Sequence, residues 1–266
     1  MRRGLLVIAG TAVACAALTT SAYGQGSAVY THSACMSARN GAGIAAPCRD
    51  ASAVFYNPAA LAMQPGMIGV GVTGIRTDNT FTYKDPSPVA NPGTVVERDP
   101  ALTPVPHAYA SFRVGERVAL GLGAWAPYGL GIEWPLDFEG RYVSYKTGVR
   151  GIYIQPTLAF QLVPNRVSIG LGVDAVRGSI EINQRMDLGA LQLPQLPVRL
   201  GALLPATNGV DFADVGLSGN AWGVTGHVAL FAQLSEKLAF GARYMHSVDL
   251  DLEGDADFTQ INTGIQ

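Results

Sequence analysis

Residues 238–252, LAFGARYMHSVDLDL, alternate with period two along their whole length. Leu238, Phe240, Ala242, Tyr244, His246, Val248, Leu250 and Leu252 occupy one face. Ala239, Gly241, Arg243, Met245, Ser247, Asp249 and Asp251 occupy the other. As one strand this is about 15 residues, or about 50 Å at about 3.3 Å per residue. Strands of soluble domains run to about 5–6 residues, whereas about 9–11 tilted residues cross a bilayer's hydrocarbon. Backbone groups cannot stay unpaired in lipid, so strands of this length are expected to belong to a closed antiparallel barrel.

Other segments repeat the pattern. Val118, Leu120, Leu122 and Ala124 alternate with small residues, and Ile152, Ile154, Leu158, Phe160 and Leu162 alternate with Gln155, Thr157 and Gln161. In 166–186 the apolar set Val167, Ile169, Leu171, Val173 and Ala175 changes parity to Ile180 and Ile182, which predicts a bulge near Arg177-Gly178. FRVGERVALGLG, FQLVPNRVSIGLG and FAQLSEKLAFGAR are three versions of one hairpin with a tight polar turn. Between them lie longer excursions at 84–104, 130–147 and 189–218. Short turns at one rim and long loops at the other are the asymmetry of outer-membrane barrels. A soluble sandwich or secreted barrel also alternates, but strand length and loop asymmetry favour the membrane.

About seven strands are expected, at 67–83, 104–114, 117–128, 143–163, 166–186, 219–234 and 237–252. The sequence then stops in what reads as a further loop, so more strands are expected beyond it.

Charged residues make up only 14% of the chain, against roughly 25% for a soluble domain. The net charge of −2 points away from nucleic acid. Residues 1–24 read as a signal peptide: Arg2 and Arg3, an apolar run at 4–18, and small residues before a cleavage site after Gly24. That run is too short to span. Cys35 and Cys48 then remain, and two cysteines in an exported chain suggest one disulfide, with two buried free thiols as the alternative. The four histidines share no metal-ligand spacing, and no catalytic or phosphate-binding motif is present. No enzyme activity, metal or cofactor is expected.

Three stretches together resemble the FadL-type outer-membrane transport family. They are residues 26–62, which contain Asp50-Ala51-Ser52 and Asn57-Pro58-Ala59; LGLGAWAPYGLGIEW at 120–134; and GRYVSYKTGVRGIYIQPTLAFQL at 140–162. The resemblance implies an all-β, transmembrane antiparallel β-barrel of fourteen strands, of which about seven are present. It implies an N-terminal helical hatch over 25–66, the barrel wall over 67–266, and a bacterial outer-membrane location. It also implies passive uptake of long-chain fatty acids or other hydrophobic compounds, with lateral exit where the wall is interrupted.

On this reading Asn57 caps a helix that Pro58 and Ala59 begin. Pro127, Tyr128 and Gly129 mark the strand break, because proline cannot donate to a ladder. Leu130, Ile132, Trp134, Leu136 and Phe138 are candidates for an apolar landing surface in an extracellular loop, with Trp134 and Phe138 equally suited to an interfacial aromatic girdle. The expected partners are a hydrophobic small molecule and outer-membrane lipid, with a monomeric assembly. A general diffusion porin and a structural or adhesive barrel are the alternatives. A porin lumen should be richly charged and needs no N-terminal plug.

Overall fold

A computed structural model of the chain describes residues 28–87, 90–98, 100–192, 194 and 197–264. The expected signal peptide lies outside them. Among the described residues ten strands follow a short helical segment: β1 (Met67–Thr77), β2 (Thr80–Thr82), β3 (Val95–Glu97), β4 (Ala101–Val114), β5 (Val118–Glu133), β6 (Lys146–Val163), β7 (Val167–Asp187), β8 (Asp211–Ser235), β9 (Leu238–Met245) and β10 (Glu253–Gln260). One antiparallel sheet runs β1-β4-β5-β6-β7-β8-β10, with β9 also paired to β8; β2 and β3 form a separate hairpin. β8 alone is 25 residues long. Among the described residues no helix is long and apolar enough to cross a membrane.

Period-two sequence becomes two chemically distinct sheet faces. One face exposes Ile68, Val70, Val72, Leu102, Phe112, Leu122, Leu171, Trp222, Val224 and Phe240, with Val70 reaching 79% exposure. So large a bare apolar face is foreign to a water-soluble monomer and normal for a lipid-facing surface. The other face buries Tyr109, Trp125, Tyr153, Gln155, Gln161, Ser168, Asp174 and His227. Strand ends also differ. Val114, Val163 and Ser235 turn directly into the next strand, whereas 78–100, 134–145 and 188–210 are excursions at the opposite rim.

The N-terminal residues pack on the buried face. They contain α1 (Ala34–Ala38), α2 (Ala53–Tyr56) and a 3₁₀ helix, Pro58–Met63. Val54, Phe55, Tyr56, Leu61 and Met36 share a core with Tyr109, Trp125, Tyr153 and Val176 of the strands.

Three expectations from periodicity are corrected. The first strand ends at Thr77 rather than 83. The bulge expected at Arg177-Gly178 is absent: β7 pairs with β8 in unbroken register from Val167↔Ala232 to Met186↔Ala213. Ile180 and Ile182 are apolar residues on the inner face, above the level where that face is polar. Finally, 238–252 is not one strand. β9 ends at Met245, and β8 pairs with β9 along His227–Ser235 and with β10 along Ala213–Asn220. Between them residues 246–252 turn over the inner face, where Leu250 and Val248 fill the space above Gly178 and Gly223. Glycine at those two positions makes the inward turn sterically possible, since a Cβ there would meet the two side chains at 2.5 Å.

Candidate functional site

Asn57-Pro58-Ala59 is fully enclosed. Asn57 Oδ1 accepts from the Ala59 N–H at 3.2 Å, while its Nδ2 donates to the carbonyls of Ile44 at 2.7 Å and Leu230 at 3.1 Å. Pro58 at the first helical position then needs no N–H partner. The wall meets this segment with donors: Gln155 Nε2 to Val54 O at 2.7 Å, Ser168 Oγ to Ala59 O at 2.7 Å, and Gln161 Nε2 to Ala62 O. Inward-facing amides and hydroxyls thus satisfy carbonyls that short helical turns leave unpaired. Gly170 admits the backbone of Pro58 and Ala59, which leaves no room for a Cβ. Cys35 and Cys48 are joined in a disulfide that closes the preceding loop.

Beneath Val54 lies a sealed polar relay. His227 Nδ1 and Asp174 Oδ2 are 2.8 Å apart, and His227 Nε2 contacts Thr157 Oγ1 at 3.0 Å and Gln155 Nε2 at 3.2 Å. Acid, imidazole and hydroxyl in that order resemble a nucleophile relay. Here the hydroxyl is buried against Gln155, and none of the cavities described below reaches it. Its geometry is that of a tie between wall and N-terminal segment. Cys35, Cys48 and Asp50 bring donor atoms within 4.8 Å of one another, but the disulfide consumes both thiols.

The wall itself is interrupted. β4 stays paired to β1 as far as Thr77↔Ala101, and β5 stays paired to β6 as far as Glu133↔Lys146. The β4–β5 ladder, however, stops at His107↔Trp125. Ala101–Pro106 and Ala126–Glu133 therefore border a slit with no backbone ladder across it. Pro104 and Pro106 point the same way in a strand and remove two donors from one edge. A register shift between Trp125 and Tyr128, where Ala126 and Pro127 oppose Ile152, bends β5 away. The bulge also inverts the side-chain faces of β5, so Tyr128, Leu130 and Ile132 turn inward. A cavity of about 570 Å³ fills the slit, lined from the outer face by Leu102, Pro104 and Ile152 and from the inner face by Tyr128, Leu130 and Ile132.

Residues 13–266 match the family described as outer membrane protein transport protein (OMPP1/FadL/TodX). The chain belongs to that family. It is 26% identical over 259 residues to the long-chain fatty acid transport protein of Escherichia coli O6:H1, covering 96% of this chain and 57% of that protein. Outer membrane protein P1 of Haemophilus influenzae is 28% identical over 160 residues, covering 55% of this chain and 34% of that protein. The chain thus spans little more than half the length of the fatty acid transport protein and about a third of outer membrane protein P1. Among solved structures, a Pseudomonas aeruginosa FadL homologue aligns with a TM-score of 0.60 at 18% identity, covering 83% of this chain and 52% of that one. The Ralstonia pickettii toluene transporter TbuX aligns at 0.57 and 21%, covering 83% and 58%. At these identities the structures establish a shared fold.

Within this FadL-type fold a second cavity, of about 490 Å³, lies on the inner face. β6 and β7 supply Val149, Tyr153, Val176 and Ile180, and the inward turn supplies Val248 and Leu250. Tyr128 borders both cavities. Its ring lies over Gly151, where a Cβ would meet it at 2.9 Å. Just inside, the Val29 N–H donates to the Pro127 carbonyl at 2.8 Å, and Thr73 Oγ1 donates to Thr31 O at 2.9 Å. Residues 29–31 therefore tie the bulge to β1.

The five residues expected to form one landing surface separate into two groups. Leu130 and Ile132 belong to β5 and line the slit rather than a loop. Phe138 is buried, packed with Phe81, Tyr83 and Trp134. Leu136 is exposed nearby. The excursion carrying them is fixed to the start of β8 by Arg141 Nε–Asp211 Oδ1 at 2.8 Å and by Tyr142 Oη–Asp211 at 2.9 Å. Burial and the Asp211 hydrogen bond both push the Tyr142 hydroxyl well above its ordinary range.

Sequence reasoning passed over Pro104, Pro106 and the inward turn at 246–252. The two prolines carried a readable signal; the inward turn did not.

Proposed function

We propose that this chain forms the portion it covers of an outer-membrane channel for passive uptake of hydrophobic compounds, such as long-chain fatty acids or aromatic hydrocarbons. Residues 25–66 act as a plug in the lumen, residues 67–266 build the wall of a fourteen-stranded barrel, and the β4–β5 slit is the lateral exit into the outer leaflet. The protein works as a monomer, with lipid against its apolar face.

One observation carries this reading: the wall is open where outer-face and inner-face apolar residues line the same cavity. A solute with little affinity for water gains about 25 cal/mol for each Å² of apolar surface it keeps buried. It therefore moves between apolar sites rather than through a water-filled pore. The inner cavity and the slit are adjacent such sites, and Tyr128 stands between them as the gate. Pro127 and Gly129 flank it on the stretch of β5 that has no partner in β4. Leu136, exposed near the rim, begins the landing surface, and Leu130 and Ile132 continue it into the slit. Asn57, Pro58 and Ala59 hold the plug, and the Cys35–Cys48 disulfide keeps it compact. Relatives named as fatty acid and toluene transporters support the substrate class.

The reading is tested by comparing uptake of labelled oleate and toluene with sugar permeation in liposome swelling. Hydrophobic uptake with slow sugar entry is expected. Brisk sugar entry without hydrophobic uptake would instead indicate a general porin.

A further inference from the structure

Arg98 lies at the outer end of the slit and is only 4% exposed. Its Nη1 donates to Thr77 Oγ1 at the end of β1 at 3.0 Å, and its Nη2 donates to the Gly131 carbonyl on β5 at 3.1 Å. Its own N–H is held by Asn79 O at 3.1 Å. The guanidinium thus spans the gap that the backbone ladder leaves open.

Both side-chain acceptors are neutral. Among the described residues no carboxylate lies within ion-pair distance of Arg98. A second cation in the slit, Lys146, is already paired with Glu181 at 2.7 Å. Arg150 is on the outer face and exposed. A guanidinium offers five donors in a planar fork matched to a carboxylate, and a buried charge ordinarily has a counter-charge. Leu102, Pro104, Leu130 and Ile132 form the apolar part of the slit, and Glu133, Lys146, Arg150 and Glu181 also border the cavity. A buried positive charge at the end of an apolar groove is the complement of an amphipathic anion.

We propose that Arg98 anchors the carboxylate of a hydrophobic monocarboxylic acid whose chain lies in the slit. This rests on the slit being the passage, and it separates the handling of acids from that of neutral hydrocarbons. The incoming carboxylate competes with the Gly131 carbonyl for the same N–H groups. Head-group capture and release of the tie across the slit are therefore one event.

The test is fluorescence titration of the detergent-purified protein with cis-parinaric acid and with its methyl ester, which keeps the tail and removes the charge. The wild-type protein is expected to bind the acid about tenfold more tightly, the scale of one charge-assisted hydrogen-bond pair. Arg98→Gln is expected to equalise the two probes, and Arg98→Lys to retain part of the preference. An unchanged acid-to-ester ratio in Arg98→Gln would overturn the assignment. Equal wild-type affinities would overturn it without any variant, so a folding failure of Arg98→Gln does not protect it. Wild-type protein that binds neither probe would instead sink the passage reading and this inference with it.

Discussion

His227 Nδ1 lies 2.8 Å from Asp174 Oδ2, and neither side chain is exposed to solvent. The pair joins β8 to β7, and through Gln155 it reaches the Val54 carbonyl of the N-terminal segment. Asp174 Oδ1 has no hydrogen-bond partner, so His227 is the hydrogen-bond partner of this buried carboxylate, with the Arg243 guanidinium as a second positive group near it. Replacing His227 with Leu strands it and is expected to cost about 3–5 kcal/mol. The double replacement Asp174→Leu/His227→Leu removes both polar groups and is expected to cost less than the two single replacements summed. Urea unfolding of all three variants, read as a double-mutant cycle, measures this coupling. Additive costs would show that the pair is not a unit.

Gly170 is where the wall yields to the Asn-Pro-Ala step. A Cβ there would sit 2.6 Å from the Ala59 nitrogen and 2.8 Å from the Pro58 carbonyl carbon. Backbone lies at both contacts, so neither can swing aside. Gly170→Val is expected to displace 58–63 while the strands stay paired, raising single-channel conductance in planar bilayers. Wild-type conductance would mean that these residues do not obstruct the lumen.

His32 gives the N-terminal segment a pH dependence. It is buried, neither ring nitrogen has a partner, and its ring packs on Phe55 and faces His107. Burial first, and His107 second, push its pKa from 6.5 down to about 4; a backbone interaction at Val29 opposes them. A lowered folded-state pKa means that docking is fully stable above pH 6.5 and loses stability as pH falls toward 4. The loss is about 3 kcal/mol at 1.36 kcal/mol per pKa unit. Amide exchange at 53–63 should therefore speed up between pH 6.5 and 4.5. His32→Leu should flatten that profile, even though His107 and Asp50 stand nearby. An unaltered profile in the variant would assign the dependence to those neighbours.

How much of this was legible depends on whether the cause is local. Alternation in 118–124, 152–162 and 222–234 is imposed by a two-faced wall, and the sequence showed it directly. At Pro127 β5 carries a register shift against β6 and runs on to Glu133. Residues 238–252 alternate without a flaw, yet the chain leaves the ladder after Met245. The reason lies elsewhere, in the room above Gly178 and Gly223. Ile180 and Ile182 look like a change of register because periodicity cannot tell an apolar outer face from an apolar inner one. Arg98, in a loop, meets Thr77 and Gly131 only through the fold, and Asp174 meets His227 across 53 residues. These are tertiary coincidences that no short-range pattern records.

In the proposed route hydrophobic compounds leave through the β4–β5 slit. Thr103 and Gly129 lie on opposite edges of it: a Cβ built at Gly129 lies 3.9 Å from Thr103 Cγ2, so a cysteine at each position makes a candidate redox-cleavable staple, its formation checked by mass spectrometry. The decisive measurement is uptake of labelled oleate and toluene by the Thr103→Cys/Gly129→Cys variant, oxidised and then reduced. The unaltered protein, treated identically, controls for the Cys35–Cys48 bridge. Uptake that falls at least tenfold on oxidation and returns on reduction is the expected result. Uptake at the control level with the slit stapled shut would contradict the account.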